Sequence, residues 1–200
     1  KSLRSDRGHQ DVESLRREVR SAREVISPNV CRIFDLVVED QQELVSMEYI
    51  DGITLADLLQ KNGSLEIQKA SDIASQFLAG LQAIHQAGLV DRDFKPENVM
   101  ITRTGRVLVM DFGIAKPVAQ FNETISGTPS YMAPEQLEGR RLDPRSDIFA
   151  AGVVLAEMIQ PDGIPTRESR EALLKAIRQE PFQLPDHPWK KIIHQAVNKN

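Results

Sequence analysis

Cysteine is nearly absent: Cys31 stands alone among 200 residues. No intrachain disulfide can form, and a reducing compartment such as the cytoplasm suits the chain. Cys31 itself is expected as a core thiol. Long apolar runs are missing too, with none reaching about 18 residues, and no signal-peptide pattern precedes the first helix. This portion is therefore expected to be soluble and without membrane contact, which leaves room for an anchor elsewhere in the gene product. There is no excess of positive charge. With 25 Lys and Arg against 29 Asp and Glu, the net charge of −4 gives no electrostatic case for nucleic acid or an anionic membrane. A G-x-G-x-x-G phosphate cradle is lacking as well. The chain begins at Lys1 without Met and stops at Asn200 within a helical pattern, so both ends are expected to be cut.

An apolar content of 40% is enough for one substantial core or two small lobes. The densest chemistry lies between Val90 and Met100, reading V-D-R-D-F-K-P-E-N-V-M, with Asp111-Phe112-Gly113 a short interval later. Acids, a Lys and an Asn share one loop between apolar segments, and a further acid waits at the next strand end. Asp93 is suited to accept a hydroxyl proton and Lys95 to neutralise a phosphoryl oxygen. Asn98 and Asp111 offer the oxygen ligands that a hard cation such as Mg²⁺ prefers.

R-D-F-K-P-E-N, D-F-G and Ala133-Pro134-Glu135, in that order, resemble the catalytic loop, metal motif and activation-segment end of eukaryotic-type protein kinases. The resemblance covers nearly the whole chain. Lys-Pro-Glu-Asn within the loop is similar to the serine/threonine branch, and the bacterial members are the nearest in character. A lone Asp-Phe-Gly would usually be a surface turn; the order and spacing of three motifs carry the reading. The resemblance implies an α+β, two-lobed fold, with residues 1–50 forming part of a strand-rich small lobe and 51–200 most of a helical large lobe. It implies ATP and Mg²⁺ as cofactors, with Mn²⁺ as a substitute, and a protein Ser or Thr as acceptor.

Apolar residues Val12, Leu15, Val19, Ala22 and Ile26 recur at helical steps, predicting a helix over 11–26 ended by Ser27-Pro28. Glu18 borders its buried stripe. By resemblance Glu18 pairs with Lys1, the expected end of a third strand, to align the ATP phosphates. Strands are expected over 30–38 and 43–50 around a polar turn, 39–42. The second runs into the interlobe hinge, where the resemblance gives Met47 the gatekeeper position, backbone groups of Glu48 and Ile50 the bonds to adenine, and Met100 the floor beneath it. Thr54 caps a short helix, 55–60, and a long one starts at Ser64 and leads to the catalytic loop. His85, near its C-terminal end, reads as structural. Short strands at 99–101 and 107–110 flank the turn 102–106 and place Asn98 beside Asp111. Helices are expected from Ser146-Asp147 to 159, hydrophobic nearly all round, then over 167–179 and 188–198.

The stretch from Ile114 to Met132 corresponds to the activation segment. Arg92 and Lys116 are expected to pair with a phosphate on Thr124 or Ser126, and Thr128 to bond the catalytic Asp and Lys. Asp91 departs from the family pattern, which has His there, stacked beneath Phe112 with Ile33 and Ala22. A carboxylate at that place is costly unless protonated or hydrogen-bonded. A weakened switch between inactive and active states is expected, with Asp91→His raising activity. Two other readings compete: a scaffold that keeps the fold without turnover, and a small-molecule phosphotransferase on a related fold. Asp93, Lys95, Asn98 and Asp111 together weigh against the first, and the long segment from Asp111 to Glu135 against the second.

Overall fold

The computed structural model describes residues 2–3, 16, 19–39, 42–112, 129–161, 170–179 and 184–197. They form an α+β fold with two small antiparallel sheets. The first has the order β1-β3-β2, from β1 (Ser2–Leu3), β2 (Ile33–Glu39) and β3 (Gln42–Met47). The second has the order β4-β5-β6, from β4 (Gly52–Thr54), β5 (Val99–Thr102) and β6 (Val107–Val109). In the β2–β3 hairpin Glu39 pairs with Gln42, so the turn is tighter than polarity suggested. Ladder pairing uses backbone groups, and polar residues at a strand end join it freely.

Strand β2 begins at Ile33, later than Val30, because the preceding segment bonds elsewhere. Cys31 N–H donates to Val109 O at 2.8 Å, and Val109 N–H donates to Asn29 O at 2.9 Å. The first sheet is thereby tied to β6. Cys31 is buried, and burial pushes its thiol up to about 11, so it is an inert core residue as expected.

Of the helix expected over 11–26, residues 16 and 19–23 are described and helical. Val19 and Ala22 are buried, but Ile26 is 80% exposed. The helix stops early because tight turn bonds, Glu24 N–H to Ser21 O and Val25 N–H to Ala22 O, close it ahead of Pro28. The buried stripe therefore ends on Val25.

Helix α1 (Leu55–Asn62) starts at a reciprocal cap: Thr54 Oγ1 accepts Asp57 N–H at 3.0 Å, and Asp57 Oδ2 accepts Thr54 N–H at 3.2 Å. Helix α2 (Ile67–Gln86) buries Ala70, Ile73, Ala74, Phe77, Leu81 and Ile84. It begins after Glu66, two residues later than Ser64 would give. Helix α3 (Pro134–Leu137) is one turn, and α4 (Pro144–Ile159) opens on Asp143, whose carboxylate accepts Arg145 N–H at 2.8 Å. Ser146 and Asp147 thus lie inside its first turn, not before it. Apolar residues surround α4, and Phe149, Val153, Val154 and Met158 have no exposure, each worth about 1.5–3 kcal/mol of burial. Helices α5 (Arg170–Gln179) and α6 (Lys190–Val197) follow, and α6 lies close enough that a Cβ on Gly152 would meet Ala196 at 2.7 Å.

Candidate functional site

The loop after α2 carries the charged cluster. A turn with Gly88 at φ 75° releases the chain from the helix. Phe94 then anchors the loop: it is buried, and its ring centroid lies 5.3 Å from that of Phe77 on α2. A 3₁₀ turn over Pro96–Asn98 brings Asn98 back towards Asp93. Asn98 Nδ2 donates to Asp93 O at 2.9 Å and to Asp93 Oδ2 at 3.3 Å. Lys95 Nζ lies 3.2 Å from Asp93 Oδ1 and 3.0 Å from Oδ2. Both partners are about one-fifth exposed, so the pair is held at a mouth open to solvent. A hollow beside Asp93 is lined by Lys95, Tyr131 and Met132.

Asn98 and Asp111 come to neighbouring strand ends as their spacing predicted. Asn98 O accepts Met110 N–H at 2.8 Å, which fixes the residue preceding Asp111. Asp111 has φ 58°, and Phe112 after it is fully buried. With the Asn98 amide nitrogen directed to Asp93, its amide oxygen and the Asp111 carboxylate form a pair of hard donors. Oxygen donors of this kind suit a hard divalent cation that keeps several waters or phosphate oxygens and needs few protein ligands. No group of three His, Cys, Asp or Glu among the described residues could hold a metal by itself.

Met47 ends β3 and Met100 lies in β5, paired with Leu108 and Thr54. Between them Glu48 N–H donates to Arg32 O at 2.8 Å, and the Glu48 carboxylate pairs with Arg106 at 3.0 Å. Ile50 is half-buried just beyond. Lys1, Glu18, Lys116, Thr124, Ser126 and Thr128 lie outside the described residues.

Beneath the loop is a buried layer the sequence only partly revealed. Asp147, 1% exposed, accepts Asp91 N–H at Oδ2 (2.8 Å) and Arg92 N–H at Oδ1 (3.0 Å), and His85 Nε2 lies 2.7 Å from Oδ2. His85 is therefore structural as read, but as support for the loop. Arg92 has φ 70°, a left-handed backbone that costs a non-glycine residue about 1–3 kcal/mol. Hydrogen bonds to a carboxylate, about 1.5–3 kcal/mol each, offset that strain. Two further side chains hold the same turn: Asp91 Oδ1 accepts Asp93 N–H at 3.1 Å, and Gln136 Nε2 donates to Arg92 O at 2.8 Å. Burial, followed by repulsion from Asp147, pushes the Asp91 carboxyl well above the usual carboxylate range. One of the conditions under which the sequence tolerates an acid there, a hydrogen bond, is met by the Asp93 N–H. Asp91 Oδ2 is buried without a hydrogen-bond partner among the described residues.

Sequence reasoning missed Gln136. Only its place after Ala-Pro-Glu pointed to it, since the contact spans 44 residues. A second missed contact is Tyr131 Oη, which donates to Glu157 Oε2 at 2.7 Å. Burial, then Glu97, pushes the Glu157 carboxyl up, marking an electronegative corner next to the loop. Glu135 accepts Ser146 Oγ–H at 2.6 Å.

An acid held by a lysine and a carboxamide, with a second acid at the adjoining strand end, thus sits on an α+β scaffold. The chain belongs to the protein kinase family, whose domain model matches residues 1–198. It is similar to a probable serine/threonine-protein kinase of Streptomyces coelicolor, 38% identical over 172 residues, covering 80% of this chain and 25% of that protein. Serine/threonine-protein kinase PrkC of Bacillus subtilis is 36% identical over 152 residues, 74% of this chain and 24% of the relative. The serine/threonine-protein kinase drp72 of Corynebacterium efficiens is 37% identical over 181 residues, 86% and 35% respectively. The chain thus spans about a quarter to a third of the length of these curated relatives. Among the described residues no helix is long and apolar enough to cross a membrane.

Proposed function

We propose that the protein is a serine/threonine kinase that transfers the γ-phosphoryl group of ATP to a Ser or Thr hydroxyl of another protein. The observation that carries this reading is Asp93, gripped through both carboxylate oxygens by Lys95 and through its backbone by Asn98. Asp93 orients the acceptor hydroxyl and takes its proton at a carboxylate oxygen. Lys95, already beside that oxygen, neutralises charge on the phosphoryl group as it passes. The hollow lined by Tyr131 and Met132 marks the side from which the acceptor hydroxyl approaches Asp93. Asn98 and Asp111 would hold the divalent cation, Mg²⁺ with Mn²⁺ as a substitute, which when bound neutralises charge on the phosphate oxygens. The contribution of the protein is placement and charge, with no covalent intermediate.

The remaining assignments belong to the same reading. Residues 1–50 contribute to the small lobe and 51–200 to the large one. Glu48 and Ile50 bond adenine through their backbones, Met47 is the gatekeeper, and Met100 packs beneath the base. Lys1 and Glu18 align the phosphates. Arg92 and Lys116 receive a phosphate on Thr124 or Ser126, and Thr128 completes the substrate step. The shared field of Glu97 and Glu157 favours a basic residue near the acceptor. The names of the relatives support the serine/threonine branch, and the lone buried cysteine supports a reducing cytoplasmic setting.

Lys95→Met separates this reading from a scaffold that binds nucleotide without turnover. Loss of a preorganised positive donor predicts a fall in kcat of about 10²–10³ with the KM for ATP nearly unchanged. Equal turnover in Lys95→Met and the parent would remove the reading.

A further inference from the structure

The peptide unit joining Arg92 to Asp93 is held at both ends by side chains from different parts of the fold. Its carbonyl accepts from Gln136 Nε2 at 2.8 Å, and its N–H donates to Asp91 Oδ1 at 3.1 Å. Neither residue touches the Asp93 carboxylate through a described bond. They set the direction in which the chain enters Asp93, at the turn where Arg92 adopts φ 70°. Asp147 holds the two N–H groups before this peptide, and Asn98 and Lys95 hold the groups after it. Gln136 is itself fixed, because its Oε1 accepts Ala133 N–H at 3.0 Å at the start of α3. Both side chains are buried, Asp91 to 3% and Gln136 to 6% exposure, so water does not compete for the peptide.

We propose that Asp91 and Gln136 are paired positioning residues for the catalytic base, Asp91 through the Asp93 amide and Gln136 through the Arg92 carbonyl. The inference rests on the kinase reading for its effect on turnover, but the hold on the peptide stands apart from it. Asp91 then does more than occupy the place where the family has His. Its Oδ1 accepts the Asp93 N–H at 3.1 Å, a bond made from within the buried layer. Gln136 makes orientation of the base depend on the seating of Ala133-Pro134-Glu135, the end of the activation segment. This replaces the expectation that Asp91 is only a liability.

The test compares Asp91→Asn, Asp91→Leu and Gln136→Met in the full-length protein, with steady-state kinetics and amide hydrogen exchange at Asp93. Asn retains the accepting oxygen and is expected to keep kcat within about threefold of the parent, with the Asp93 amide protected. Leu keeps the number of side-chain heavy atoms and Met falls one short, and both lose the bond. Each should lower kcat about ten- to a hundredfold, the scale on which small misplacement of a reacting group acts, while the KM for ATP moves less than about twofold. Asp93 amide exchange should quicken at least about tenfold. Asp91→His should bring no gain. If Asp91→Leu does not fold, Gln136→Met reads the other end of the same peptide. Unchanged kcat and exchange in Leu and Met, or higher kcat in Asp91→His, would overturn the proposal. A parent without turnover would instead count against the kinase reading, and Asp93 exchange alone would then decide whether the two residues hold the peptide.

Discussion

Asp147→Asn is the sharpest perturbation of the layer under the catalytic loop. The carboxylate is 1% exposed and serves two loop N–H groups and His85 with two oxygens, at 2.7–3.0 Å. Asparagine has one accepting oxygen, so its amide nitrogen must face a donor in at least one of these contacts. Leaving one buried N–H unpaired costs about 1–3 kcal/mol. The surviving bonds lose their charge assistance, which is worth about 1 kcal/mol more. The sum, about 2–4 kcal/mol, should lower Tm by roughly 5–15 °C in a domain of this size. Asp143→Asn is the control: it caps the same helix at an exposed site, where Asn and Asp are nearly equal, and should shift Tm by less than about 2 °C. Thermal unfolding followed by circular dichroism checks both. Similar small shifts in the two variants would refute the assignment of Asp147 as the buried clamp.

Gly80→Ala sets helix propensity against packing. Alanine should gain about 0.5–1 kcal/mol in mid-helix, but its Cβ would lie 2.5 Å from Asn29 O and 2.9 Å from Val109 Cγ2. Asn29 O cannot retreat without losing Val109 N–H, so overpacking of about 1–3 kcal/mol should win, and urea unfolding should find the variant less stable. The pH dependence of stability tests Glu157. Its raised pKa means that the folded state binds the proton more tightly than the unfolded chain, so stability is greatest below the ordinary carboxylate range and falls as pH rises through the raised value. Glu157→Gln still accepts the Tyr131 hydroxyl and lacks that fall, so it should gain on the parent from pH 4 to 8; parallel curves would reject the burial cause.

The parts of the fold with local causes were legible in the sequence. Periodicity placed α2 and α4, the Thr54 cap placed α1, and the spacing between Asn98 and Asp111 brought them to adjoining strand ends. Boundaries moved where long-range bonds competed: Val30 and Cys31 went to β6 instead of β2, and the helix before Ile26 stopped early at turn bonds ahead of Pro28. The charged triad of Asp93, Lys95 and Asn98 was visible because all three lie within six residues of sequence. Its support was not. Asp147 and Gln136 reach the loop from 44 to 56 residues away, and no local pattern distinguishes a buried clamp from a helix-start acid or a polar residue after Ala-Pro-Glu. Asp91 was visible as a departure from the family, but only the fold gave it a partner, the Asp93 N–H.

Radiolabelled phosphate transfer from Mg-ATP to the protein itself and to a generic basic protein, with Asp93→Asn alongside, decides whether Asp93 serves as the base of a working kinase. Label is expected on Ser or Thr in the parent, with a loss of at least about 10³-fold in the variant, whose amide can hold Asn98 and Lys95 but cannot take the proton. Label of equal intensity in the two, or none in the parent while ATP still binds, would contradict that role.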